Sequence, residues 1–111
     1  MKETKYTLIT GASRGIGRAI AIKLASQGYS IIINYASNVD AAQKTLDDIV
    51  NAGGEAELLP FDVCNSKSVI DALQLWKSRH EGEYISVIVN NAGMYNGKLA
   101  VLRQVRMRVF V

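Results

Sequence analysis

The stretch Thr10 to Gly17, TGASRGIG, decides how this chain of 111 residues is read. On one side lies a short apolar run, YTLIT, from Tyr6 to Thr10. On the other, Ile16, Ile20 and Leu24 recur at i, i+4 and i+8 with Ala19 beside them. That pattern is a strand leading through glycines into a helix. Gly11 lets the backbone turn sharply off the strand, Gly15 lets it approach a ligand, and Gly17 lets the helix pack close to the sheet. The first turn of such a helix offers unpaired N–H groups and the positive end of its dipole, which suit a pyrophosphate.

Further along, Gly28 stands where a helix C-terminal cap belongs. SIIIN, from Ser30 to Asn34, is β-branched and apolar on both faces, as in a parallel strand covered on both sides. Ala42, Leu46 and Ile49 make a second helical stripe, with Lys44, Asp47, Asp48 and Asn51 on the wet side and Gly53-Gly54 ending it. AELLPFDV supplies a third strand, and Pro60 near its end argues for an edge or an exit. Asn65 and Ser66 are placed to cap a third helix, in which Val69, Ala72, Leu73 and Trp76 follow the i, i+3, i+4, i+7 rule. ISVIV, Ile85 to Val89, is the fourth strand and runs into NNAG. The alternation β-α-β-α-β-α-β predicts an α/β fold with a doubly wound parallel sheet.

A length of 111 residues fits one domain, and 49% hydrophobic with 21% charged residues fits a soluble globular one. Cys64 is the single cysteine, so no internal disulfide forms, and it reads as a small buried hydrophobe in a reducing compartment. No apolar run has membrane-span or signal-peptide length, so no membrane partner and a cytoplasmic location are expected. The net charge of +3 belongs to the tail: Lys98, Arg103, Arg106 and Arg108 lie in the last fourteen residues, which hold no acid. The rest carries nine basic and ten acidic residues, and a nucleic-acid partner is not expected.

The nucleotide follows from the second strand. An NAD-preferring fold of this kind ends that strand with Asp or Glu, whose carboxylate bonds the ribose 2′-hydroxyl. Here Asn34-Tyr35-Ala36-Ser37 offers no acid, and Arg14 in the glycine turn is able to grip a 2′-phosphate. NADP is favoured over NAD; the alternative is that Arg14 is a solvated turn residue.

TGASRGIG, Asp62-Val63 after the third strand and NNAG (Asn90 to Gly93) after the fourth together resemble the short-chain dehydrogenase/reductases, from about Lys5 to Leu102. INYA and NNAGMYNGKL look most like the bacterial 3-oxoacyl-acyl-carrier-protein reductases. The resemblance implies a partial Rossmann-type sheet of strands 3-2-1-4, with residues 1–97 as the NAD(P)-binding half and 98–111 as a divergent basic tail. It implies that Gly11, Ser13, Arg14, Gly15, Ile16 and Gly17 form the phosphate turn and that Ala36 and Ser37 border the adenosine 2′ position. Asp62 and Val63 would hold the adenine, Asn91, Ala92 and Gly93 would approach the ribose, and Asn90 would brace the sheet. The plain alternatives are a helix-approach cap for Asp62 and ordinary turn residues for Asn90 and Asn91.

The resemblance also implies hydride transfer from NADPH to a carbonyl, a 3-oxoacyl group on acyl carrier protein in fatty-acid synthesis, by a homo-oligomer. That chemistry needs a tyrosine proton donor with a lysine four residues on, sharing a helix face. None of Tyr6, Tyr29, Tyr35, Tyr84 or Tyr95 has one; Tyr95 and Lys98 are three apart. His80 reads as a surface or C-cap residue, and no metal cluster is expected. The chain is therefore expected to be the cofactor-binding portion of a reductase, without catalytic residues and inactive alone, its strand 85–89 left as an exposed apolar edge. The departure after Gln104 points to a frameshift, a premature stop or a misplaced gene end. VRMRVFV reads equally as a half-buried strand or, with Leu99, Leu102, Val105 and Val109, as a helical stripe. The competing expectation is a small nucleotide-binding or interaction module without catalysis.

Overall fold

The computed structural model describes residues 4–91 and 108–110. Its elements are β1 (Tyr6–Ile9), α1 (Gly15–Ser26), β2 (Ser30–Tyr35), α2 (Val39–Asn51), β3 (Glu55–Pro60), α3 (Ser66–Arg79), β4 (Ile85–Val89) and β5 (Arg108–Phe110). They form one sheet in the order β3-β2-β1-β4-β5. All four neighbouring pairs are parallel. The 3-2-1-4 order thus holds, and a short fifth strand extends it. Arg108–Phe110 pairs with Val87–Val89, so that part of β4 is not the open edge the sequence implied. The boundary expected at 97/98, the Tyr95–Lys98 pair and the Leu99–Leu102–Val105 stripe lie outside the described residues.

Strand side chains alternate between faces, and two cores result. Ile9, Ile31 and Ile33 point to the α1–α2 side, where Ala21, Ala25, Ala42 and Ile49 meet them. Leu8, Ile32 and Leu59 point to the α3 side and pack with Val69, Ala72, Leu73 and Trp76. The third helix therefore buries the stripe its spacing predicts. Asn65 caps it as expected, its Oδ1 accepting from the Ser68 N–H at 3.1 Å. Pro60 ends β3, which is an edge strand, so its missing N–H costs no ladder bond.

The stripe expected for α1 is corrected. Ile16 is 73% exposed, and the buried residues are Gly17, Ala21 and Ala25. Ile20 and Leu24 lie on the flank, partly buried. Small residues at i, i+4, i+8 let the helix axis approach the sheet, and bulky ones would hold it off. Cys64 is corrected as well. It sits in the loop between β3 and α3 and is exposed, with its N–H bonded to Asp62 Oδ1 at 2.9 Å.

Below the N-terminal ends of the strands, Tyr6 meets Trp76 and His80 edge to face, with ring centroids 5.1 and 5.2 Å apart. His80 is the C-cap of α3, stacked on Trp76 at 4.1 Å. Its Nδ1 lies 2.8 Å from the Trp76 carbonyl and its Nε2 3.0 Å from Glu57. Burial pushes the Tyr6 phenol up to about 12, helped by its hydrogen bond to Glu83.

Candidate functional site

The loops that follow β1, β2 and β3, and Asn90–Asn91 after β4, all lie at the carboxyl ends of parallel strands. β1 is the strand at which the chain reverses: the crossovers from β1 through β3 carry α1 and α2 on one face, and the return to β4 carries α3 on the other. Open α/β sheets place their crevice at that reversal.

The turn after β1 takes the expected shape. Gly11 and Gly15 have φ of 64° and 62°, a region that side chains bearing a Cβ rarely adopt. Gly17 is under the tightest constraint. A Cβ there would stand 2.3 Å from the Gly11 carbonyl oxygen and 2.5 Å from Asn91 Nδ2. At Gly15, by contrast, an added Cβ would meet nothing within 4 Å. The turn is closed behind Gly17 and open in front of Gly15.

Polar side chains hold this turn from three strands. Asn34, at 2% exposure, accepts the Gly11 N–H at 3.2 Å and donates to the Leu59 and Phe61 carbonyls at 3.3 and 3.1 Å. The Ala12 N–H reaches the Asn34 carbonyl at 3.0 Å. Thr10 Oγ1 donates to buried Asn90 at 3.2 Å and accepts the Asn91 N–H at 2.9 Å. Asn91 Nδ2 in turn donates to the Gly11 carbonyl at 3.3 Å. Asn90 and Asn91 thus tie the end of β4 to the turn. From the other face, Thr45 of α2 donates to the Ser13 carbonyl at 3.1 Å and accepts from Arg18 at 3.3 Å. Arg18 also pairs with Asp48, and its hydrogen bond holds that carboxyl below the usual range.

The helix termini differ in a way that matters chemically. Asn38 Oδ1 caps α2 by accepting the Ala41 N–H at 3.1 Å, and Asn65 caps α3. The N-cap of α1 is Arg14, in extended conformation, and its side chain makes no cap bond. The first N–H groups of α1 are therefore left for something else to satisfy.

Of the other expected residues, Ser13 is half-buried, and Arg14 and Ile16 are exposed at the mouth of the turn. Ala36 and Ser37 are exposed between β2 and α2, and Val63 packs partly against the α3 core. Asp62 is exposed, and one carboxylate oxygen closes the turn onto Cys64, so the cap-like alternative describes part of its role. Ala92 and Gly93 lie outside the described residues. Thr10, Asn34, Thr45 and Arg18 were not foreseen as parts of the site. The groups they bind across the site lie 23 or more residues away in the chain, so no local pattern reveals them. Among the described residues no group of His, Cys, Asp and Glu is placed to hold a metal, and no helix is long and apolar enough to cross a membrane.

The chain matches the family described as short chain dehydrogenase over residues 5–108. It is 42% identical over 87 residues to YgfF, an uncharacterized oxidoreductase of Escherichia coli K12, covering 78% of this chain and 34% of that protein. It is 36% identical over 99 residues to the 3-oxoacyl-acyl-carrier-protein reductase FabG of Staphylococcus aureus Mu50, covering 89% and 39%. Among solved structures, a metagenomic short-chain oxidoreductase in complex with NADP superposes with a TM-score of 0.74 at 38% identity, over 81% of this chain and 39% of that one. The chain thus spans 34% and 39% of the two curated relatives.

Proposed function

Because the chain belongs to the short-chain dehydrogenases, a family of oxidoreductases, we propose that its glycine turn holds NADP(H). It serves, on this reading, as the cofactor-binding portion of a reductase that transfers hydride to a carbonyl, a 3-oxoacyl group on acyl carrier protein. The observation that carries the reading is the uncapped N-terminus of α1, with Gly15 opening onto free space and Gly17 closed against Gly11. A pyrophosphate fits that cradle, since the N–H groups and the helix dipole favour an anion there. Gly11, Ser13, Gly15, Ile16 and Gly17 would take the phosphates through their backbone. Arg14, Ala36 and Ser37 would surround the 2′-phosphate. Asp62 and Val63 would border the adenine, and Asn91, with Ala92 and Gly93, the ribose, while Asn90 braces the sheet through Thr10.

When bound, the nicotinamide supplies the hydride; the part of this chain is to bind and orient the cofactor. No tyrosine of the sequence has a lysine four residues on, and no residue here is assigned as proton donor. The likeness to FabG and to the NADP-bound oxidoreductase supports the substrate and the cofactor respectively.

Calorimetric titration of the chain with NADPH and NADH tests the reading. Tighter binding of NADPH is expected, and Arg14→Ala should weaken it roughly ten- to hundredfold while leaving NADH little changed. Equal losses for both nucleotides would remove the NADP assignment.

A further inference from the structure

Three hydrogen-bonded side chains join the loop before Arg14 to the helix that follows Ser37. Thr45 is fully buried on α2. Its hydroxyl proton lies between two carbonyls, Ser13 at 3.1 Å and Ala41 at 3.3 Å, and its oxygen accepts from Arg18 at 3.3 Å. Arg18 is held on its other nitrogen by Asp48, one turn further along α2. A buried hydroxyl in contact with the backbone of another element fixes the position of that backbone, because an unpaired buried donor is costly.

The turn has a second set of anchors, and these act elsewhere. Gly11 is held by Asn34 and Asn91, and Gly17 is packed against Gly11. These fix the pyrophosphate end of the turn from β2 and β4. Ser13 is the one residue of the turn fixed from α2, and Arg14 follows it directly. Ala36 and Ser37 lie just before Asn38, the cap of that same helix. Thr45 therefore ties the backbone just before Arg14 to the helix that begins just after Ser37.

We propose that Thr45 is a positioning residue for the 2′-phosphate, joining the two loops that would grip it and thereby setting the preference for NADPH over NADH. This rests on the reading of the turn as an NADP(H) site. A 2′-phosphate contacted from both loops senses their separation; a ribose 2′-hydroxyl, with a weaker and single contact, does not.

The test is Thr45→Val, which keeps the volume and removes the hydroxyl, with Thr45→Ser as the variant that restores it. Circular dichroism and thermal melting first establish that both variants fold. By calorimetry, Thr45→Val should raise the dissociation constant for NADPH roughly five- to tenfold, the worth of one hydrogen bond, and that for NADH less than about twofold. Thr45→Ser should return NADPH binding to within about twofold of the parent. Equal weakening of both nucleotides, or no weakening, overturns the proposal. Amide exchange without nucleotide separates this from failure of the functional reading. Arg14 and Gly15 should exchange faster in Thr45→Val while Gly11 and Ala12 are unchanged. Uniform or absent acceleration shows that Thr45 does not position this end of the turn, whatever the chain binds.

Discussion

The two faces of the sheet are filled by side chains of different size. Under α1 and α2 the strand residues Ile9, Ile31 and Ile33 meet small helix residues, Gly17, Ala21, Ala25 and Ala42, beside Ile49. Under α3 they include Phe61, Leu73 and Trp76, joined by Tyr6 and the ring of His80. The first face leaves no room for a methyl group at its tightest point. The second is built from volume, with rings at ordinary contact distances. The face with small residues is the one that carries the glycine turn, where backbone position decides whether an anion can be held. The bulky face supplies stabilisation through buried apolar area.

This difference is open to test. Trp76→Ala should show the largest effect, about 3–5 kcal/mol by urea denaturation, because it empties the centre of the α3 core. Gly17→Ala adds a single carbon, yet it meets backbone at 2.3 Å. Its expected cost is about 1–3 kcal/mol, accompanied by loss of NADPH binding in calorimetry. Trp76→Ala molecules that remain folded should still bind. If Gly17→Ala binds as the parent does, the small-residue face is not under the constraint described.

The smallest effect concerns alkaline stability. The Tyr6 phenol, raised to about 12, keeps its proton in the folded chain after the unfolded chain has released its own near 10. The folded state then binds more protons, so stability falls as pH rises. The contribution is whole below about pH 10 and is lost progressively toward about pH 12. Urea midpoints measured at rising pH should fall less steeply for Tyr6→Phe than for the parent. Parallel curves would show that burial of the phenol does not couple to folding.

The bulky face was the legible one in the sequence. Val69, Ala72, Leu73 and Trp76 stand at helical spacing with polar neighbours, and Asn65 marks the helix start. β4 is bounded as its apolar run suggests. The small-residue face misled, because Ile16, Ile20 and Leu24 make the more conspicuous stripe of α1 while Gly17, Ala21 and Ala25 are what the sheet admits. At the site, the glycines that shape the turn were legible from their spacing. The side chains that hold it were not. Asn34 at the end of an apolar strand and Thr45 on a helix have no local reason to matter; the Gly11 amide and the Ser13 carbonyl that they hold are brought near only by the sheet. The placement of Arg108–Phe110 beside β4 was left open by a pattern that fitted strand and helix equally.

The bond between Thr10 and Asn90 joins residues 80 apart in the chain. β1 is made first but sits between β2 and β4, so its second neighbour arrives only after two further crossovers have been completed. Contacts this distant carry a loop-closure cost and slow folding. The bracing of the glycine turn is therefore complete only when β4 lies beside β1 and brings Asn90 and Asn91 with it. A chain folded only through β3 has the glycines and the anchors from Asn34 and Thr45, but not those from Asn90 and Asn91. A ligand that requires the braced turn binds only the closed sheet and, by mass action, draws the chain toward it.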